Sequence, residues 1–300
     1  MNVTPPSRAA HSRGLLQLNL AVVLFGFTAL FGKWLTLPAL VIVFGRVVFA
    51  FFALLLLLPF TGQNLRLERR KDFGPLLLLG VFMTAHWVAF FQSVQVSSVA
   101  ICLVSFSIAP VLIALLEPLF FAHEKFTLGS VILALVVMVG VAIATPSWRL
   151  DNTTTQGVLW GVASGIALCF MTLLNRGQAN RYPTLVITTY QMGIVALLLL
   201  PTMLSLHPHV TARDLGLLAC LGIVFTGVAQ LLFVQAIKVL SARLASVVSS
   251  GMEVVYGVAL AALFLHEAPA PRTLVGGAII IAATLYAMSQ HKPDVPLEPL

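Results

Sequence analysis

The chain is 300 residues long, 59% hydrophobic and only 9% charged, with a mean hydropathy of +1.02. So little polar surface cannot enclose so many apolar residues as a soluble globule, which places the chain in a bilayer. Its net charge of +7 is spread over loops rather than gathered on one face, so nucleic acid is not expected as a partner.

A spanning helix needs about 20 mostly apolar residues. Such runs fall roughly at 15–35, 39–59, 74–94, 99–121, 128–146, 157–175, 185–204, 215–237, 244–265 and 273–290. Arg8 and Arg13 precede the first run as they would in a signal peptide, but the run is too long for one and nine more follow, so it is read as retained. The expected organisation is a tail at 1–14, five spans at 15–146, a linker at 147–156, five spans at 157–290 and a tail at 291–300. The fold class is all-α, an integral membrane bundle of ten transmembrane helices.

The two halves repeat. Lys33, Gln92, Ser98, His123 and Glu124 recur as Arg176, Gln235, Ser241, His266 and Glu267, each 143 residues later, the mark of internal duplication. Five spans per copy is an odd number, so the copies are inverted across the membrane. Basic residues gather in cytoplasmic loops. With the N-terminus inside, twelve Lys and Arg residues fall on the cytoplasmic side, against Lys33, Arg149, Arg213 and Arg272 outside. Both termini are therefore expected in the cytoplasm. Asn152-Thr153-Thr154 is a glycosylation sequon that matters only in a secretory host. The short loops favour a bacterial inner membrane.

Polar groups inside hydrocarbon are costly, so each needs a reason. Arg46, within the second span, could meet a substrate carboxylate or else snorkel to the interface. His86, Trp87, Phe90 and Phe91 form an aromatic wall in the third span, suited to apolar or aromatic side chains or to simple packing. Pro110 removes a helical hydrogen bond mid-span. Glu117 lies near the cytoplasmic end of its span. Glu124 and Glu267 sit at equivalent boundaries on opposite sides, as anchors or gates. Gly157, Gly161 and Gly165 make a stripe for close helix approach.

Ser164-Gly165 resembles the serine motif of rhomboid intramembrane proteases, but Val162 stands where that motif needs glycine, and no histidine is placed as a partner. In the eighth span Gln230, the repeat mate of Trp87, could hydrogen-bond a zwitterion. Glu253 lies about 13 Å into the ninth span, counted at ~1.5 Å per residue. It shares a face with Tyr256 and Gly257, and its repeat mate is Pro110. Cys102, Cys169 and Cys220 match no metal-ligand spacing, and neither a metal nor a cofactor is expected.

The order of Gly26, Lys33, Pro38 and Arg46, the fourth span closing on Glu124, and Arg176, Pro183, Tyr190-Gln191 and Glu267 in the second copy resemble the EamA-type branch of the drug/metabolite transporter superfamily. That resemblance covers about residues 15–290. It implies ten helices around a central cavity, alternating access and small-metabolite substrates, often exported amino acids.

Enzyme classes find little support. The aspartates lie in loops or tails, and no zinc or phosphate-loop motif is present. A channel would want a ring of like charges or a filter loop. The expected activity is secondary transport, with export the expected direction, of amino acids including large apolar or aromatic ones. A drug or polyamine exporter is the alternative, and protons are the candidate coupling ion. Membrane lipid surrounds the protein, which is expected as a monomer or weak homodimer. Substrate binding is assigned to His86, Trp87, Phe90, Phe91, Gln230, Glu253 and Tyr256. Coupling or gating is assigned to Arg46, Pro110, Glu117, Glu124 and Glu267, with no catalytic residue.

Overall fold

A computed structural model describes residues 8–120, 128–145, 149–179, 181–237 and 242–290. The first copy contains α1 (Arg8–Trp34), α2 (Ala39–Thr61), α3 (Phe73–Val96), α4 (Val99–Phe106), α5 (Ala109–Phe120) and α6 (Leu128–Ala144). The second contains α7 (Thr153–Ala179), α8 (Thr184–Leu206), α9 (Ala212–Gly222), a π-helical segment (Ile223–Val228), α10 (Ala229–Ile237), α11 (Ala242–Leu265) and α12 (Pro271–Gln290). Six of these helical stretches are long and apolar enough to cross a bilayer, and four shorter apolar helices complete ten spans among the described residues.

Helix ends follow local chemistry. Pro38 and Pro183 start α2 and α8 at nearly the same extended geometry, φ −55° and −57°, where the missing N–H is no loss. The Asn152 side chain accepts from Thr154 N and Thr155 N at 2.9 and 3.2 Å, so the sequon asparagine caps α7. Thr211 and Asp214 form a reciprocal capping box for α9. Pro183 follows Pro38 by 145 residues, and α8 follows α2 by the same interval at both ends. The register in this pair is thus two residues longer than the 143-residue offset, and it aligns Arg46 with Gln191.

Helix packing carries the inversion. α3 lies on α7 as α1 lies on α10, α4 lies on α7 as α11 lies on α1, and α3 meets α8 as α2 meets α9. α2 pairs with its own mate α8, and α6 with its mate α12. The exchange is partial, because α2 also meets α3 and α1 also meets α3, without a matching contact of α8 or α7 with the α9–α10 span among the larger contacts. Two aromatic triads obey the same exchange. Phe27 stands 5.5 Å from Phe225 and 5.6 Å from Phe264. Phe170 stands 5.1 Å from Phe82 and 6.3 Å from Phe120. The outermost rings are even exposed alike, Phe264 at 49% and Phe120 at 45%.

Glycines set the closest crossings. A Cβ on Gly222 would meet the Arg46 carbonyl and, at 2.7 Å, Phe49 Cβ, while one on the equivalent Gly80 would meet the Ile194 side chain. The Gly157, Gly161 and Gly165 stripe lays α7 against Ser97, Ser105 and the Phe106–Ile108 stretch.

Pro110 does more than kink its span. The helix stops at Phe106 and restarts at Ala109, because Pro110 cannot bond back to the preceding turn. Its repeat mate Glu253 carries no such break, since α11 runs unbroken through it. The described break in the second copy is the π segment of the eighth span instead.

Candidate functional site

Arg46 does not snorkel to the interface. It is 3% exposed, and its Nε and Nη2 donate to Thr226 Oγ1 at 3.1 and 2.8 Å. The Thr226 hydroxyl donates in turn to Leu221 O at 2.8 Å. That partner lies five residues back, a reach that the π segment provides and a regular helical turn would not. The Arg46 guanidinium carbon sits 4.2 Å from the Trp87 ring centroid and 5.5 Å from that of Phe91, a desolvated stack worth about 2 kcal/mol. Nη1 is buried without a hydrogen-bond partner among the described residues. An unmet buried donor costs about 1–3 kcal/mol or more when charged.

The aromatic wall divides between two neighbours. Trp87 and Phe91 turn to Arg46 on α2, while His86 and Phe90 turn to Phe106, with ring separations of 6.2 and 5.6 Å. Phe91 is fully buried and Phe90 is 4% exposed, so in this conformation both are core packing, and Trp87 is the ring left partly accessible. His86 Nδ1 lies 2.8 Å from Ser164 Oγ and 3.1 Å from Ser164 O. Ser164 therefore has a histidine partner after all, one that the 78-residue separation hid. The serine is fully buried within the α3 and α7 contact, where the pair holds the two copies together.

Glu253 is partly buried in α11, and its carboxylate forms no ion pair or hydrogen bond with any described side chain, those of 242–251 not being among them. Its electrostatic neighbour is Cys102 of α4. Tyr256 leans to α1, where its hydroxyl donates to Asn19 Oδ1 at 3.2 Å, and Gly257 packs between Gly26 and Leu103. Gln230 is partly buried at the start of α10, four residues after Thr226. Of the seven assigned binding residues, Trp87 and Phe91 gather on Arg46, His86 and Phe90 on Phe106, Glu253 and Tyr256 lie on α11, and Gln230 stands on α10.

Polar latches stand at both ends. At one end Lys33 Nζ donates to Ser97 O at 2.6 Å, Gln95 Nε2 donates to Leu37 O at 2.7 Å, and Glu267 Oε2 accepts from Val99 N at 3.0 Å. Glu267 thereby sits on the positive end of α4. At the other end Asp72, buried, accepts from Tyr182 Oη at 2.6 Å and from Arg181 Nη1 at 3.3 Å. Tyr182 Oη also accepts from Glu68 N at 3.1 Å, and Tyr190 Oη donates to Leu65 O at 2.6 Å. Asp72 accepting its hydroxyl holds the Tyr182 phenol above its usual pKa. Glu124 lies outside the described residues, and of Glu117 only its place in α5 is described.

Thr226, Asp72 and the aromatic triads are the functional candidates that sequence reading passed over, and Ser164 was weighed there only as a protease serine. The triads carried a signal. Phe27 and Phe170, and Phe82 and Phe225, are separated by the same 143 residues as the polar mates.

Ten spans in two inverted copies, with uncompensated polar groups from both copies in the interior, are the build of a membrane transporter. The chain belongs to the EamA-like transporter family, whose model matches residues 12–145 and again 155–289. It is 28% identical over 243 residues to an uncharacterized transporter of Bacillus subtilis, covering 79% of this chain and 77% of the relative. It is 26% identical over 258 residues to a pseudopaline exporter of Pseudomonas aeruginosa, covering 86% and 88%. A solved crystal structure shares the fold, with a TM-score of 0.65 at 19% identity over 94% of this chain and 98% of the other.

Proposed function

We propose that this transporter exports small amine-bearing metabolites, with amino acids that have large apolar or aromatic side chains foremost, by alternating access in a bacterial inner membrane. Both termini lie in the cytoplasm, and protons are the candidate counter-ion. The observation that carries this reading is Glu253. It is a carboxylate within a spanning helix, partly accessible, with no cation to neutralise it among the described side chains. Such a group is expensive in hydrocarbon unless a cationic ligand or a proton visits it. Trp87 offers the apolar face that a large side chain needs. The exporter relative supports the direction, since its printed function is export. Because Glu253 alone would also suit a polyamine, cationic drugs and polyamines are the second reading.

Counterflow in proteoliposomes against a panel of amino acids and polyamines tests the substrate class. Glu253→Gln keeps the shape but cannot titrate, so transport should fall or lose its pH dependence between about pH 5 and 8 while the protein stays folded. Wild-type rates across that window would refute the role.

A further inference from the structure

We propose that Arg46 is a carboxylate subsite, taking a small monoanionic carboxylate whose neighbouring group is apolar or aromatic. This rests on the metabolite reading above and adds the acid-binding half that Glu253 cannot supply. The guanidinium is fixed before any ligand arrives. Gly222 lets α9 press on the backbone of α2 at Arg46, and the Thr226 hydroxyl hydrogen is committed to Leu221 O. Its oxygen therefore has lone pairs only for acceptance, and both Nε and Nη2 land on it. Two donors on one oxygen set the guanidinium plane, and Trp87 covers one face of that plane.

The stack cannot satisfy Nη1, because its N–H bonds lie in the plane and point away from the ring. What remains is a full cation with one unmet donor edge, 3% exposed and without a carboxylate partner among the described residues. Water could accept from Nη1 but would leave the charge uncompensated, whereas a carboxylate does both. A phosphate would call for further basic groups, and the one other Lys or Arg within the apolar runs, Lys33 near the end of the first, is held by Ser97 O. Trp87, the accessible ring of the wall, lies against the same guanidinium, so the group beside the carboxylate meets an aromatic face. Preorganisation of this kind removes the ordering cost from the binding step.

The test uses paired ligands in proteoliposomes: phenylalanine against phenethylamine, and tryptophan against tryptamine. Thermal stabilisation of the purified protein by 3-phenylpropionate, which has the acid and the ring but no amine, is read alongside. Arg46→Gln should lower counterflow of the acid member by about tenfold more than that of its amine and abolish stabilisation by 3-phenylpropionate. Thr226→Val, which keeps the charge but frees the plane, should raise the half-saturation concentration for acids only. It serves as the decisive variant if Arg46→Gln does not fold. Equal loss for both members of a pair, or unchanged 3-phenylpropionate binding in a folded variant, would overturn the subsite. If wild type moves neither member of either pair yet is stabilised by 3-phenylpropionate through Arg46, the subsite stands and the amino-acid reading fails.

Discussion

Replacing Gly222 with alanine should loosen the bundle where α2 and α9 cross. The new Cβ would stand 2.7 Å from Phe49 Cβ and 3.1 Å from Ala50 N, and would press on the Arg46 carbonyl. Two of those three neighbours are backbone and cannot rotate away, so the helices must part. Overpacking of this kind costs about 1–3 kcal/mol, which at roughly 2–4 °C per kcal/mol lowers Tm by on the order of 5 °C. Gly80→Ala is the matched control, because its Cβ meets the side chain of Ile194 and no backbone atom. Scanning fluorimetry of purified protein reads both variants. Ile194→Ala should rescue Gly80→Ala, whereas Phe49→Ala should leave most of the Gly222→Ala loss in place. Full rescue by Phe49→Ala, or a Tm for Gly222→Ala within about 1 °C of wild type, would show that backbone contact does not set this crossing.

Three further outcomes are expected. A cysteine at Leu150, exposed ahead of the Asn152 cap, should label from outside intact cells, and one at Glu68 only after permeabilisation; the reverse pattern would refute the proposed orientation. Trp87→Ala should weaken counterflow of phenylalanine and tryptophan more than of alanine, because it removes apolar contact and the face that steadies Arg46; a uniform loss matched by lower Tm would assign Trp87 to packing. Raising the Tyr182 pKa makes its latch a stabiliser that is whole below the unfolded value near ~10 and fades as pH climbs through the higher folded value. Tyr182→Phe should therefore flatten the alkaline fall in Tm above about pH 10, and an unchanged slope would refute the linkage.

Ten spans and their duplication were legible because apolar runs of spanning length and a repeated offset survive without knowledge of packing. Arg46 and Glu253 stood out for the same reason, as charges where hydrocarbon should be. Their surroundings were not legible. Thr226 reaches Arg46 from 180 residues away, through a π segment that no residue pattern announced. His86 finds Ser164 only because α3 and α7 belong to different copies that pack together. Phe90 and Phe91 shared the wall with Trp87 by periodicity, but which member stays accessible depends on neighbours from other elements, as Phe106 against Phe90 shows. The Arg46 mate was missed because α2 and α8 run in a 145-residue register.

The paired phenylalanine triads bear on the thermodynamics of a carrier that alternates. If each triad closes one mouth, opening one while sealing the other exchanges like for like. The two access states then lie close in free energy, and a ligand's few kcal/mol of preference can swap them. The degeneracy is imperfect. Phe31 stands 5.0 Å from Phe225 and 5.2 Å from Trp34, and Trp34 stands 6.4 Å from Phe264. At the repeat-related positions of the other triad the sequence has Leu174 and Gly177. At about 0.5–1.5 kcal/mol per aromatic pair, these extra rings tilt the double well toward a molecule shut on the Phe264 side. That is the face proposed as external, so the resting carrier would wait open to the cytoplasm, where an exporter must load.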